Sequence, residues 1–214
     1  MTVAAAESQL EQQLTRGLRQ LALPLEVHQR RQLLDYLTLL EKWNRVYNLT
    51  AVRDRSDMVS THLLDSLVVA TFLSCTGLLD VGSGAGLPGL PLAIARPACR
   101  VSLLDSNQKK CAFLRQAVAE LGLSNAEVVC ERVEAWKAAA PFEVVISRAY
   151  ADIAAFVVST AHLLAPAGVW AAMKGVLPRE ELRALPPGVR VREIVPLAVP
   201  GLEASRHLIL LERA

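Results

Sequence analysis

Leu78-Leu79-Asp80-Val81-Gly82-Ser83-Gly84-Ala85-Gly86-Leu87-Pro88-Gly89 is the stretch from which the fold can be read. Leu78, Leu79 and Val81 around a single acid have the composition of a buried parallel strand. Three glycines at alternate positions follow, and the apolar residues from Leu87 onward predict a helix. A strand, a glycine turn and a helix in that order let a ligand approach the backbone, because no Cβ stands in the way. Further on, Val101-Ser102-Leu103-Leu104-Asp105 is a second apolar strand ending in an acid. A carboxylate at that tip, beside the first strand, is placed to hold the two hydroxyls of a ribose. The pair of strands points to a nucleoside cofactor.

Gly84, Gly86 and Gly89 also spell G-x-G-x-x-G, the dinucleotide fingerprint, which is weak when it stands alone. Asp80 argues against NAD. A carboxylate at the tip of the first strand crowds a pyrophosphate, which needs the N–H groups of a helix N-terminus. It suits a cationic group instead. S-Adenosylmethionine carries a sulfonium and an α-ammonium and no phosphate, so it is the expected cofactor.

Outward from this stretch the chain divides in two. Residues 1–75 read as a helical region: Leu10, Leu14, Leu18 and Leu21 recur at helical spacing, as do Leu33, Leu37 and Leu40, with Pro24 between the two sets. Val59, Leu63, Leu67 and Ala70 predict a third helix. Residues 76–214 alternate. Strands are expected at 77–82, 101–105, 126–130, 142–147 and 168–173, and helices at 87–95, 107–121, 150–164 and 178–185. That rhythm predicts an α/β fold with a parallel sheet between helices. Two further strands, 189–194 and 207–211, have no clear helix between them and should pair antiparallel. A seven-stranded, mostly parallel sheet closed in this way is similar to the Rossmann-like class I methyltransferases that use S-adenosylmethionine.

Open α/β sheets bind ligands at the carboxyl ends of their strands. The candidates there are Gly82, Gly84 and Gly86 after the first strand and Asp105 after the second. Val133 and Glu134 follow the third strand, Arg148 ends the fourth and Lys174 the fifth. Each has a plainer reading. The glycines could form a turn only, although three in alternation exceed what a turn needs. Asp105 could cap the helix near Asn107, Glu134 could be a solvated charge, and Arg148 and Lys174 could be solvated rather than clamping an anion. His62, Asp65 and Ser66 share one helix face, a pattern more often a surface hydrogen-bond set than a site. Asn48 reads as a helix stop after Lys42-Trp43-Asn44-Arg45-Val46-Tyr47.

The pattern also narrows the chemistry. There is no Asn/Asp-Pro-Pro-aromatic signature of exocyclic-amine methylation, no cysteine set for attack on a pyrimidine, and no cluster of metal-ligand residues. A nucleophile with a free lone pair fits, and N7 of guanine is one: it carries no proton, so catalysis rests on proximity and orientation. The net charge of +2 is too mild to indicate nucleic acid by itself. Cys75, Cys99, Cys111 and Cys130 contain no C-x-x-C pair, and their spacing fits neither a zinc site nor a disulfide framework. Reduced thiols, no signal-peptide pattern and no bilayer-length apolar segment lead us to expect a cytoplasmic protein with no membrane and no metal among its partners.

Several strings together resemble one bacterial family: KWNRVYNLTAVRD (42–54), HLLDS (62–66), DVGSGAGLPGLPLA (80–93), LLDSNQKKCAFLR (103–115), RVE (132–134), ISRA (146–149), MKG (173–175) and RHL (206–208). It is the small-subunit ribosomal RNA methyltransferase G family, also called glucose-inhibited division protein B. The resemblance implies S-adenosylmethionine-dependent methylation of N7 of one guanine in 16S rRNA of the small ribosomal subunit. It carries cofactor contacts onto Gly82, Leu87, Val133, Glu134 and Arg148, with Asp105 matching the acid used for the ribose. Lys174, Arg148 and His62 are the candidates on the substrate side. The competing functions are an NAD-linked oxidoreductase and a non-catalytic RNA- or ribosome-binding module.

Overall fold

The computed structural model describes residues 3–148, 150 and 152–214. Apolar residues, chiefly Val and Leu in the first four and Ala in the fifth, build β1 (Gly77–Val81), β2 (Arg100–Leu104), β3 (Ala126–Val129), β4 (Phe142–Arg148) and β5 (Leu164–Lys174), which all run parallel. β6 (Val189–Pro196) and β7 (His207–Arg213) are joined without a helix and pair antiparallel, with β7 also antiparallel to β5. The order across the sheet is β3-β2-β1-β4-β5-β7-β6. The chain steps outward from β1 to β2 and β3, then returns to lay β4 on the other side of β1. The crevice between the carboxyl ends of β1 and β4 is therefore the switch point where such sheets bind ligands.

The helical region begins with α1 (Val3–Gln20) and α2 (Val27–Tyr47). Leu10, Leu14 and Leu18 of α1 and Leu33, Leu37 and Leu40 of α2 are buried, as their spacing predicts. Asn48 ends α2 in the left-handed region at φ 50°. The third helix differs from expectation. It is a composite of α3 (Arg55–Met58), a π-helical turn (Val59–Leu64), α4 (Asp65–Leu67) and a 3-10 turn (Val68–Thr71). In the wide turn the Asp65 amide donates to the Ser60 carbonyl five residues back. From Met58 to Ala70 every residue except Thr61 is buried. The segment has neighbours on all sides and so lacks a solvent-exposed face, although it carries Ser60, His62, Asp65 and Ser66.

Side chains alternate along each strand and feed two cores. Leu78, Val101, Leu103, Val144 and Ile146 join the helical region together with α5 (Gly89–Ala95) and α6 (Gln108–Glu120). Leu79, Val81, Leu104, Val145 and Trp170 lie on the opposite face under α7 (Ile153–Thr160). A short α8 (Arg179–Arg183) precedes β6.

α2 holds the first face in place by polar contacts. Carbonyls at a helix's end lack partners of their own. Gln29 Nε2 donates to Ile94 O near the end of α5 at 2.7 Å, and Gln32 Nε2 donates to Leu121 O at the end of α6 at 2.7 Å. One turn further on, the buried Tyr36 hydroxyl donates to Ala85 O inside the glycine turn at 2.7 Å. Tyr36→Phe removes that donor and leaves a carbonyl without its partner, which costs about 1–3 kcal/mol. Urea denaturation should show a lowered midpoint with an unchanged slope. A wild-type midpoint would mean that the Ala85 carbonyl finds another donor.

Candidate functional site

The turn after β1 is tied to β2 rather than left open. Gly82 N–H and Ser83 N–H both donate to Leu104 O at 2.8 and 3.0 Å, and Gly84 N–H donates to Asp105 Oδ2 at 2.9 Å. Gly82, Gly84 and Gly86 have φ of +70°, +59° and +84°, which side chains rarely adopt. Beyond backbone geometry they differ. A Cβ on Gly82 or Gly84 would meet open space, with only Gly82 O at 3.7 Å from the latter. A Cβ on Gly86 would strike Leu90 and Leu114. Gly86 N–H also donates to Ser83 O, and Gly86 O accepts from Leu90 N–H. Gly82 and Gly84 thus present a bare surface to a ligand, whereas Gly86 is closed in by the protein. Leu87 is buried, its N–H bonded to Ser83 O at 3.1 Å.

Asp80 does not face a ligand, which corrects the expectation from sequence. Its side chain is fully buried beneath the turn, and Oδ2 accepts from Gly89 N–H at 2.9 Å, at the first residue of α5. Alternation along β1 sends it into the same core as Leu78, where helices cover it. NAD remains disfavoured for a different reason: the helix N-terminus that would receive a pyrophosphate already holds a carboxylate.

Two clefts open at the strand tips. The first, about 150 Å³, is bordered by Gly82, Asp105, Glu131, Val133, Glu134 and Tyr150. Asp105 both caps and lines: Oδ1 accepts from Asn107 N–H at 2.8 Å, Oδ2 from Gly84, and the residue still borders the opening. Each oxygen keeps a further lone pair for a hydroxyl. Val133 supplies a buried apolar wall, while Glu134 is exposed at the rim.

The second cleft, about 400 Å³, lies at the tips of β4, β5 and β7 and is bordered by Asp65, Arg148, Lys174, Leu197, Arg206 and His207. Arg148 is not solvated. Its Nη1 donates to Thr61 O at 3.1 Å and to Asp65 Oδ2 at 3.2 Å. Arg206 Nε reaches the other oxygen of Asp65 at 2.8 Å. Lys174 is likewise not a free cation: Nζ bonds Glu181 at 2.8 Å and Tyr150 O at 3.3 Å. Hollows of similar size between α1 and α2 and at the amino ends of β1 and β2 lie away from the tips where the candidate residues meet.

His62, Asp65 and Ser66 are no surface set, because the wide turn carrying them is enclosed. His62 sits behind the second cleft rather than on its surface. Its Nε2 meets Thr50 Oγ1 at 2.9 Å, and the Thr50 N–H donates to Asn44 Oδ1 at 2.9 Å. This gives the Asn44 to Thr50 motif a role in ordering the end of α2 against the site. Sequence reading missed Asp65 as the carboxylate that orients two arginines, and Arg206 as one of them. The only trace was their presence in the HLLDS and RHL strings. Ala149 lies outside the described residues.

Comparison with known proteins agrees with the fold and the motifs. The family described as rRNA small subunit methyltransferase G matches residues 29–209. Ribosomal RNA small subunit methyltransferase G of Laribacter hongkongensis is 54% identical over 202 residues, covering 94% of this chain and 98% of that protein. The protein of the same name in Chromobacterium violaceum is 54% identical over 210 residues, covering 98% of each. Among solved structures, the glycopeptide N-methyltransferase MtfA with S-adenosyl-L-homocysteine superposes with a TM-score of 0.62 at 14% identity, covering 72% of this chain and 87% of that one. The O-methyltransferase TomG of Streptomyces achromogenes gives 0.57 at 16% identity, with 84% and 90% covered. These two likenesses concern the fold.

Burial sets two opposed pH dependences. It raises the Asp80 carboxyl from 3.8 to about 7 and lowers the His62 imidazole from 6.5 to about 4. The native state therefore favours neutral Asp80, a contribution complete below pH 4 and lost as pH rises through 7. It also favours neutral His62, a contribution complete above pH 6.5 and lost as pH falls through 4. Relative to wild type, Asp80→Asn should gain melting temperature between pH 5 and 8, whereas His62→Gln should gain on acidification from pH 6.5 to 4. Differences from wild type that stay flat with pH in both variants would refute these assignments.

Proposed function

The chain belongs to the rRNA small subunit methyltransferase G family, and we propose that it transfers a methyl group from S-adenosylmethionine to N7 of one guanine in 16S rRNA of the small ribosomal subunit. The observation that carries this reading is the division of the strand tips. An opening bordered by Asp105, Glu131 and Glu134 lies over bare glycine backbone, and one bordered by Arg148, Lys174, Arg206 and His207 lies beside it. The first suits a nucleoside with hydroxyl and cationic groups, the second a polyanion.

S-Adenosylmethionine supplies a methyl group made electrophilic by its sulfonium. The residues of the first cleft fit such a ligand: Gly82 and Gly84 leave room beside the turn that a Cβ would fill. In this reading Asp105 and Glu134 accept from the ribose hydroxyls, and Val133 gives the adenine an apolar wall. Gly86 acts indirectly by shaping the turn. Arg148, oriented by Asp65, borders the second cleft and not the first.

On the substrate side, Lys174 and Arg206 attract the RNA backbone and hold the target base. N7 of guanine bears no proton at neutral pH, so no side chain has to remove one. His62 is poorly suited to be a base: it is buried, and its imidazole titrates near pH 4. Its part is to hold Thr50. Action on ribosomal RNA implies a cytoplasmic protein.

Purified protein, labelled cofactor and either naked 16S rRNA or small subunits should yield 7-methylguanosine at one position, read by mass spectrometry of nuclease digests. A methyl on an exocyclic amine, a ribose hydroxyl or a pyrimidine carbon would overturn the reading. The single-turnover rate should be nearly flat from about pH 6.5 to 8.5, without the rising limb of a general base. Asp105→Ala loses a charged hydrogen bond of about 1.5–3 kcal/mol, so its cofactor Kd should rise roughly ten- to a hundredfold by calorimetry. Lys174→Ala should slow transfer while cofactor affinity holds.

A further inference from the structure

Away from the clefts, at the amino ends of the strands, two cysteines meet. Cys75 lies just before β1 and Cys99 just before β2. The parallel register pairs Gly77 with Arg100, and Arg100 N–H donates to Thr76 O at 2.8 Å, so the residues preceding both strands lie side by side. The two sulfurs are 3.1 Å apart. Neither is bridged, Cys99 is buried, and Cys75 is partly open to solvent. A small hollow beside them is lined by Ala70, Leu73, Leu78, Leu92, Arg96 and Val101.

We infer that Cys75 and Cys99 form a reversible oxidation site, at which a peroxide converts the thiol pair into a disulfide. A thiolate of the pair takes an oxygen from the peroxide, becoming a sulfenic acid and releasing hydroxide. The second sulfur then attacks the sulfenic sulfur. The S–S bond forms, and the sulfenic oxygen leaves as water with the thiol proton. A dithiol reductant reverses the bond by exchange through a mixed disulfide. The sulfurs need close by only about 1 Å to reach a bonded separation near 2.05 Å.

Three features favour this pair over the other cysteines. The hydrogen bond between the thiols lowers Cys99 and raises Cys75, so the pair shares one proton after the first ionisation, and the Arg96 guanidinium favours the thiolate of both. Glu143 opposes that charge. The exposure of Cys75 gives the oxidant a path. By contrast Cys111, which also neighbours a cysteine, is buried with Sγ donating to Asp105 O at 3.1 Å, and burial together with a hydrogen bond to the Cys130 thiol pushes its thiol up to about 12.

The bond would close a loop between residues 24 apart, and that loop holds β1, the glycine turn and α5. Closing it restricts the unfolded chain, so the oxidised protein should melt about 5–10 °C higher. The test treats reduced full-length protein with a modest excess of hydrogen peroxide, alkylates the remaining thiols and maps peptides by mass spectrometry. The expected result is one linked peptide pair through Cys75 and Cys99 lacking two hydrogens, with Cys111 and Cys130 alkylated, and full reversal by dithiothreitol. In Cys99→Ser, Cys75 should instead progress to sulfinic acid. Recovery of Cys75 and Cys99 as separate alkylated peptides, a link through Cys111 or Cys130, or a bond between two chains would each overturn the proposal.

Discussion

The hydrogen bond from Gly89 N–H to the buried carboxylate of Asp80 is the contact on which the ligand-binding end of the sheet depends. It fixes the first residue of α5 over the tip of β1, and the whole glycine turn spans the gap between those two points. Only glycine can stand at position 89, since a Cβ there would come within 2.6 Å of Asp80 Oδ2. An internal group thereby occupies the place where many nucleotide folds receive phosphate, and the ligand is left with the flank of the turn, where Gly82 and Gly84 offer bare backbone.

From that anchor the rest of the site follows by alternation and order. β2 accepts the turn's N–H groups at Leu104 and Asp105, so the carboxylate bordering the first cleft also braces the glycines. On the other side of β1, the tips of β4, β5 and β7 gather cations, and Asp65 sets two of them. Neither Arg148 nor Arg206 is free to swing, and Lys174 is steered by Glu181. Such restraint lowers the entropy lost on holding a substrate group. The helical region contributes to both clefts, through Tyr36 at the turn and Asp65 at the arginines.

Much of this was legible because local sequence carried it. Apolar runs gave the strands, alternate glycines gave the turn, and an acid at the tip of β2 gave Asp105. What escaped depends on contacts distant in sequence. The direction of Asp80 follows from which face of β1 the helices cover, and that is a property of the assembled layers. The segment around His62 was misjudged because His62, Asp65 and Ser66 have the spacing of a solvent-facing polar stripe, whereas here they are buried against other elements and Asp65 meets arginines distant in sequence. The Asp65 to Arg206 contact joins residues 141 apart, and no spacing rule reaches so far. Cys75 and Cys99 match no cysteine motif because the register of two parallel strands brings them together.

The reach of Asp65 has a consequence for the order in which the protein becomes complete during its own synthesis. The glycine turn, Asp105 and the helices that brace them all lie in the first 121 residues. The carboxylate of Asp65 waits for Arg148, 83 residues later, and then for Arg206, almost at the end of the chain. A growing polypeptide thus carries the glycine turn and its braces well before it carries both arginines of the second cleft. The cationic cleft closes when the last strand docks beside β5, so a chain cut short before Arg206 lacks half of the arginine pair. Arg206 and His207 are the last of that cleft's bordering residues to be made.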